Sequence, residues 1–130
     1  MIVGTGFKGN APYYRSVGQN VLIAGSSYGF KNGYFGENSP HGGNSTRNIA
    51  ADDNLGAAQD FYDKLAYGGK EQIVNDNMRI THMADGTVIT MRKVSSSDGT
   101  PVVDINIEYS RGSGGVKSQK IHFVKEVKNK

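Results

Sequence analysis

Between residues 78 and 124 apolar and polar side chains alternate with a period of two, in four stretches interrupted by turn residues. Alternation of that kind belongs to half-buried strands, and it constrains the fold more than any other feature of the chain. The stretches 78–83, 87–93, 101–109 and 116–124 read as four strands. Asp85-Gly86 and Asp98-Gly99 are turn dipeptides between the first three, which predicts an antiparallel meander. Residues 111–115 form a glycine-rich loop before the last strand. Sorting each strand by parity gives one apolar face, Ile89, Met91, Val103, Ile105, Ile107, Ile121 and Phe123, and an opposite polar one.

Upstream the period is helical. Over 53–67, Asp53 can cap the first turn, Leu55, Ala58, Phe61, Tyr62 and Leu65 recur at helical spacing, and Gly68-Gly69 ends the run. The first 45 residues instead mix glycine with aromatics, as in Pro12-Tyr13-Tyr14, Tyr28-Gly29-Phe30 and Gly33-Tyr34-Phe35-Gly36. Within them Val21-Leu22-Ile23-Ala24 reads as a short buried segment and 38–44 as a turn cluster. The segment is too aromatic for a linker, which predicts that it wraps over the remainder. The expected fold is α+β: an N-terminal glycine/aromatic-rich segment and one helix, packed on a four- to five-stranded antiparallel sheet. A chain of 130 residues makes this a single domain over 1–130, with 1–45 as the wrapping segment and 46–130 as the core.

Composition removes several classes. Cysteine is absent, so disulfides, iron–sulfur clusters, thiolate zinc sites and cysteine catalysis are excluded. No apolar run approaches the roughly 18–20 residues of a membrane-spanning helix. Met1-Ile2-Val3-Gly4 has no basic region leading into an apolar one, so no signal peptide is expected. Charge is segregated: four Lys/Arg against one acid in 1–47, three against six in 48–80, and eight against five in 81–130. A basic C-terminal part suits a polyanionic partner, and equally a solvated surface with a charged tail.

The polar face of the sheet gathers Thr90, Arg92, Asp104, Asn106, Ser118, Lys120 and His122. That set fits cleavage of RNA without a metal or other cofactor, because RNA supplies its own nucleophile, the 2′-hydroxyl. The reaction needs a base, an acid for the 5′-oxygen and cations around the phosphorane. Histidine serves as either acid or base, arginine grips phosphate oxygens in a fork, and lysine supplies a point charge. The competing reading is a polar sheet face with ordinary cross-strand ion pairs. Among the other candidates, His41 reads as a solvated loop residue, and His82 as a second catalytic histidine or a hydrogen-bonded edge residue. Three histidines without matched spacing do not make a zinc site. Gly112-Ser113-Gly114-Gly115 lacks the GK[ST] sequence of a nucleotide-phosphate loop.

Three segments, 83–92 (MADGTVITMR), 95–107 (SSSDGTPVVDINI) and 117–123 (KSQKIHF), taken in this order, resemble C-terminal toxin domains of contact-dependent growth inhibition and related polymorphic toxin systems. The likeness is to those acting as transfer-RNA nucleases with the fold shared by barnase, colicin nucleases and RelE. It implies an antibacterial ribonuclease, secreted as the C-terminal part of a large bacterial surface protein and delivered into the target-cell cytoplasm. It further implies a cognate immunity protein as inhibitor, transfer RNA as substrate and elongation factor Tu as an accessory partner. On this resemblance His122 and Arg92 match catalytic positions, supported by Asp104, Ser97 and Lys120, while Thr90, Asn106, Lys117, Ser118 and Lys93 contact RNA. Two other readings are a non-enzymatic RNA- or ribosome-binding module, using the same basic face with Tyr and Phe as stacking platforms, and a DNA nuclease with carboxylates, here Asp104 and Glu108, around a divalent metal.

Overall fold

The computed structural model describes residues 14–40, 42–96, 98–108 and 113–126. In chain order the elements are a 3-10 turn Val17–Asn20, α1 (Val21–Tyr28), β1 (Phe30–Lys31), β2 (Tyr34–Phe35), β3 (Glu37–Asn38), β4 (Thr46–Ala51), α2 (Asn54–Leu65), β5 (Lys70–Ile73), β6 (Met78–His82), β7 (Val88–Arg92), β8 (Val102–Asn106) and β9 (Gln119–Lys125). Seven strands form one sheet in the order β3-β4-β9-β8-β7-β6-β5, and β1 pairs with β2 in a separate hairpin.

This overturns the expected α+β architecture with a four- to five-stranded antiparallel sheet. The described residues are mostly β, with two short helices, and the large sheet is mixed, because β4 runs parallel to β9 from Thr46↔Lys120 to Ala51↔Lys125. The reason is visible strand by strand. In β4 (Thr-Arg-Asn-Ile-Ala-Ala) only Ile49 is buried, and its partner lies some 70 positions downstream, so no local period marks it. In β5 every residue but Glu71 is exposed, and β3 is two residues long. Sheet edges of this kind carry little hydrophobic signal. From β5 to β9 the pairing is antiparallel throughout; β6, β7 and β8 fall within the first three alternating stretches, and β9 overlaps the fourth and runs one residue past it.

Helix α2 forms where its spacing places it. Asp53 Oδ1 accepts from the Gly56 N–H at 2.9 Å, and Ala58, Phe61, Tyr62 and Leu65 are buried against β4, β7, β8 and β9. Leu55, counted on that face from the sequence, is 37% exposed. Past the helix, Gly68 has φ +81°, and a Cβ there would collide with the Arg15 side chain, so glycine answers both to the backbone and to close packing. The inner face of the sheet buries Ile89, Met91, Val103, Ile105, Ile121 and Phe123, with Ile107 partly covered.

The glycine/aromatic segment supplies the rest of the core. Phe35 and Phe61 meet edge to face at 4.8 Å, Tyr28 and Phe61 at 5.4 Å, and Phe61 and Phe123 pack at 5.6 Å. Residues 21–24, read as buried throughout, instead form the first turn of α1 with only Val21 and Ala24 inside; Leu22 is 86% exposed and Ile23 51%. Gln119 stitches the β1–β2 hairpin onto β9. Its amide accepts from Phe35 N–H at 2.8 Å and donates to the carbonyls of Gly33 at 2.9 Å and Lys117 at 2.6 Å. The helices and hairpin cover one side; among the described residues the other face is only partly covered, with Val102 and His122 buried on it and hollows beside them.

Candidate functional site

Cross-strand register orders the partly covered face into rows. One row runs Asn48, His122, Val102, Arg92; the next runs Thr46, Lys120, Asp104, Thr90. Two hollows lie on this face. The first, about 560 Å³, is lined by Ser39, Pro40, Thr46, Asn48, Asp98, Lys120, His122 and Val124. The second, about 430 Å³, is lined among others by Ser45, Thr90, Asp104, Asn106 and Ser118. Thr46 and Lys120 border both and form the ridge between them.

His122 is the centre of the first hollow. Its side chain is 10% exposed, and Nδ1 lies 2.9 Å from Thr100 Oγ1 and 3.4 Å from Asp98 Oδ1. The Thr100 hydroxyl donates to Asp98 Oδ1 at 2.7 Å, so its single proton is taken. It can then only accept from the imidazole, which places the ring proton on Nδ1 and leaves Nε2 as the basic atom of the neutral ring. Among the described residues Nε2 carries no hydrogen bond, and the ring lines the hollow beside Lys120.

Asp98 anchors this arrangement. Its Oδ1 also accepts from Ser95 Oγ at 2.8 Å and from the Thr100 backbone N–H at 3.1 Å. Those bonds, the Thr100 hydroxyl foremost, together with the nearby His122 ring, hold the carboxyl at about 2, well below its ordinary 3.8. The sharp turn that brings Asp98, Thr100 and His122 together passes through Gly99 at φ +78°.

The structure places the sequence-derived candidates unevenly. His122 and Lys120 share the first hollow; Thr90, Asp104, Asn106, Ser118 and Lys120 line the second. Arg92 is on the same face but two strands from His122, roughly 10 Å at ordinary strand spacing, with Val102 between. Its Nη1 donates to Asp104 Oδ2 at 3.1 Å, and Arg92 borders neither hollow. Lys117 stands over the Tyr34 ring at 5.4 Å, with the β1–β2 hairpin, and Lys93 is exposed beyond the end of β7. His82 is exposed on β6, three strands and roughly 14 Å or more from His122, too far to share one phosphate with it. Ser97 and His41 lie outside the described residues.

Sequence reasoning missed Asp98 and Thr100 as partners of the histidine, and Thr46, Asn48 and Ser39 as lining. Asp98-Gly99-Thr100 was legible as a turn; that its polar side chains converge on β9 was not. Among the described residues no three of His, Asp and Glu cluster as metal ligands. No family model, curated protein or solved structure matches the chain.

Proposed function

We propose that this domain is a ribonuclease that cleaves RNA without a metal, by attack of the 2′-hydroxyl on the adjacent phosphodiester. The observation that carries the reading is His122. A largely buried imidazole has Nδ1 fixed through Thr100 to Asp98, and His122 lines a hollow together with Lys120. In this arrangement His122 Nε2 takes the 2′-proton, the 2′-oxygen attacks phosphorus, and the P–O5′ bond breaks as the leaving 5′-oxygen takes a proton from a water molecule in the hollow; the hydroxide left behind is neutralised by the proton held on His122. The products are a 2′,3′-cyclic phosphate and a 5′-hydroxyl. Lys120 supplies charge for the developing phosphorane, and Thr46 on the same ridge adds a hydroxyl donor.

The biological setting rests on the likeness of residues 83–92, 95–107 and 117–123 to contact-dependent growth inhibition toxins. In that setting the domain is the C-terminal part of a large bacterial surface protein, acts on transfer RNA in the target-cell cytoplasm, works with elongation factor Tu, and is neutralised by an acidic immunity protein. Opposite charge gives such an inhibitor fast, salt-sensitive association.

The test is incubation of the purified protein and its His122→Ala variant with total bacterial RNA in the presence of EDTA. Discrete fragments ending in cyclic phosphate are expected, with His122→Ala slower by about 10²–10⁴-fold. Intact RNA of retarded mobility identifies a binding module instead. Cleavage of DNA that stops on chelation identifies a metal-dependent nuclease. A His122→Ala variant that cuts at the wild-type rate moves the active site elsewhere, with His82 next to be replaced.

A further inference from the structure

We propose that the second hollow is a nucleobase pocket next to the scissile phosphate, in which Asp104 selects bases bearing an exocyclic amino group; this rests on the ribonuclease reading above. The charges along the partly covered face fix which part of a nucleotide can sit where. The ridge carries Lys120, which makes no ion pair among the described residues and attracts phosphate. The hollow beyond it is walled by the Asp104 carboxylate, already ion-paired with Arg92 at 3.1 Å, so it offers a hydrogen-bond acceptor to a base and no unpaired cation to a phosphate.

Asp104 pairs with Arg92 through one oxygen and keeps the other for a ligand. Arg92 Nη1 holds Oδ2 at 3.1 Å and sets the plane of the carboxylate, while Oδ1 has no hydrogen bond among the described residues. An ionised carboxylate only accepts hydrogen bonds. Asn106, two residues along β8 on the same face, adds an exposed amide that both donates and accepts. Ser118 Oγ already accepts from Ile107 N–H at 2.9 Å, so its proton is available to a ligand acceptor. Val88 gives the hollow an apolar patch for a ring face. Adenine, cytosine and guanine each offer an amino group to such an acceptor. Uracil flanks its one ring N–H with two carbonyl oxygens, which the carboxylate repels.

The experiment uses short oligoribonucleotides identical except for the base beside the cleaved bond, A, C, G or U, and compares kcat/KM. Wild type is expected to disfavour uracil by about tenfold or more, and Asp104→Asn to bring that ratio close to one. Equal cleavage of all four by wild type, or an unchanged ratio in Asp104→Asn, overturns the proposal. A second measurement does not depend on catalysis or on the variant folding: NMR titration of wild type with the four nucleoside 3′-monophosphates. Shifts at Thr90, Asp104 and Asn106 with the adenosine, cytidine and guanosine compounds but not the uridine one support the pocket. No shifts there with any of them refute it. Failure of the ribonuclease reading is a separate result, recognised by wild type leaving every oligoribonucleotide intact.

Discussion

Replacing Thr100 by valine tests the chemistry of the site at one hydroxyl. The substitution preserves shape and removes two interactions, the 2.7 Å bond to Asp98 Oδ1 and the 2.9 Å contact with His122 Nδ1. Asp98 keeps Ser95 Oγ and the backbone N–H of residue 100, so the turn survives. Each lost hydrogen bond has a net worth of about 0.5–1.5 kcal/mol, so Thr100→Val should destabilise the fold by about 1–3 kcal/mol. The kinetic effect is smaller than deleting the base. With about 1 kcal/mol no longer holding the ring proton on Nδ1, the productive tautomer falls about fivefold relative to the alternative. The productive form then falls from most of the population to about half or less, so cleavage should slow by only about two- to threefold, against about 10²–10⁴-fold for His122→Ala. Imidazole ¹⁵N shifts read the tautomer directly: protonated Nδ1 in wild type, a mixture in Thr100→Val, and recovery in Thr100→Ser. A wild-type spectrum with the proton on Nε2 refutes the reasoning, as does Thr100→Val with unchanged shifts and rate.

Gln119→Leu should cost about 2–6 kcal/mol, because it strands the buried Phe35 N–H and the Gly33 carbonyl, each worth about 1–3 kcal/mol when left unpaired; denaturant midpoints check it, and a loss under 1 kcal/mol would mean the hairpin is held some other way. The Asp98 carboxyl, held at about 2 against an ordinary 3.8, adds stability that is fully present above 3.8 and is lost as pH falls through about 2. Because the side chain is half exposed the contribution is screened and small. The stability difference between wild type and Asp98→Asn should hold from neutral pH down to about 4 and close towards 2, as followed by denaturation at each pH; a gap that widens on acidification has the wrong sign.

What the sequence made legible is what depends on parity. Thr90, Asp104, Asn106, Ser118, Lys120 and His122 were placed on one face because a period of two is local, and register keeps them together once β7, β8 and β9 pair. What stayed hidden depends on pairs distant in sequence. Thr46 and Asn48 reach the site through a parallel pairing with β9 that no adjacent residues announce, and Asp98 and Thr100 reach it through the conformation of a turn. The mixed sheet was missed for the same reason: β3, β4 and β5 earn their places by hydrogen bonding to neighbours, not by burying an apolar face of their own. One residue did carry a usable signal. Gln119 shares parity with Ile121 and Phe123 and so belongs on the core face, where an unpaired amide is costly. A polar side chain at core parity calls for partners from outside the local meander. Here they come from Gly33 and Phe35, which ties the glycine/aromatic segment to the last strand, one residue from Lys120 on the ridge and three from His122. The same strand thus fixes the N-terminal hairpin through one face and presents Lys120 and His122 on the other. Loosening Gln119 should therefore disturb the ridge as well as the core, so that Gln119→Leu lowers cleavage at temperatures where the protein is still folded.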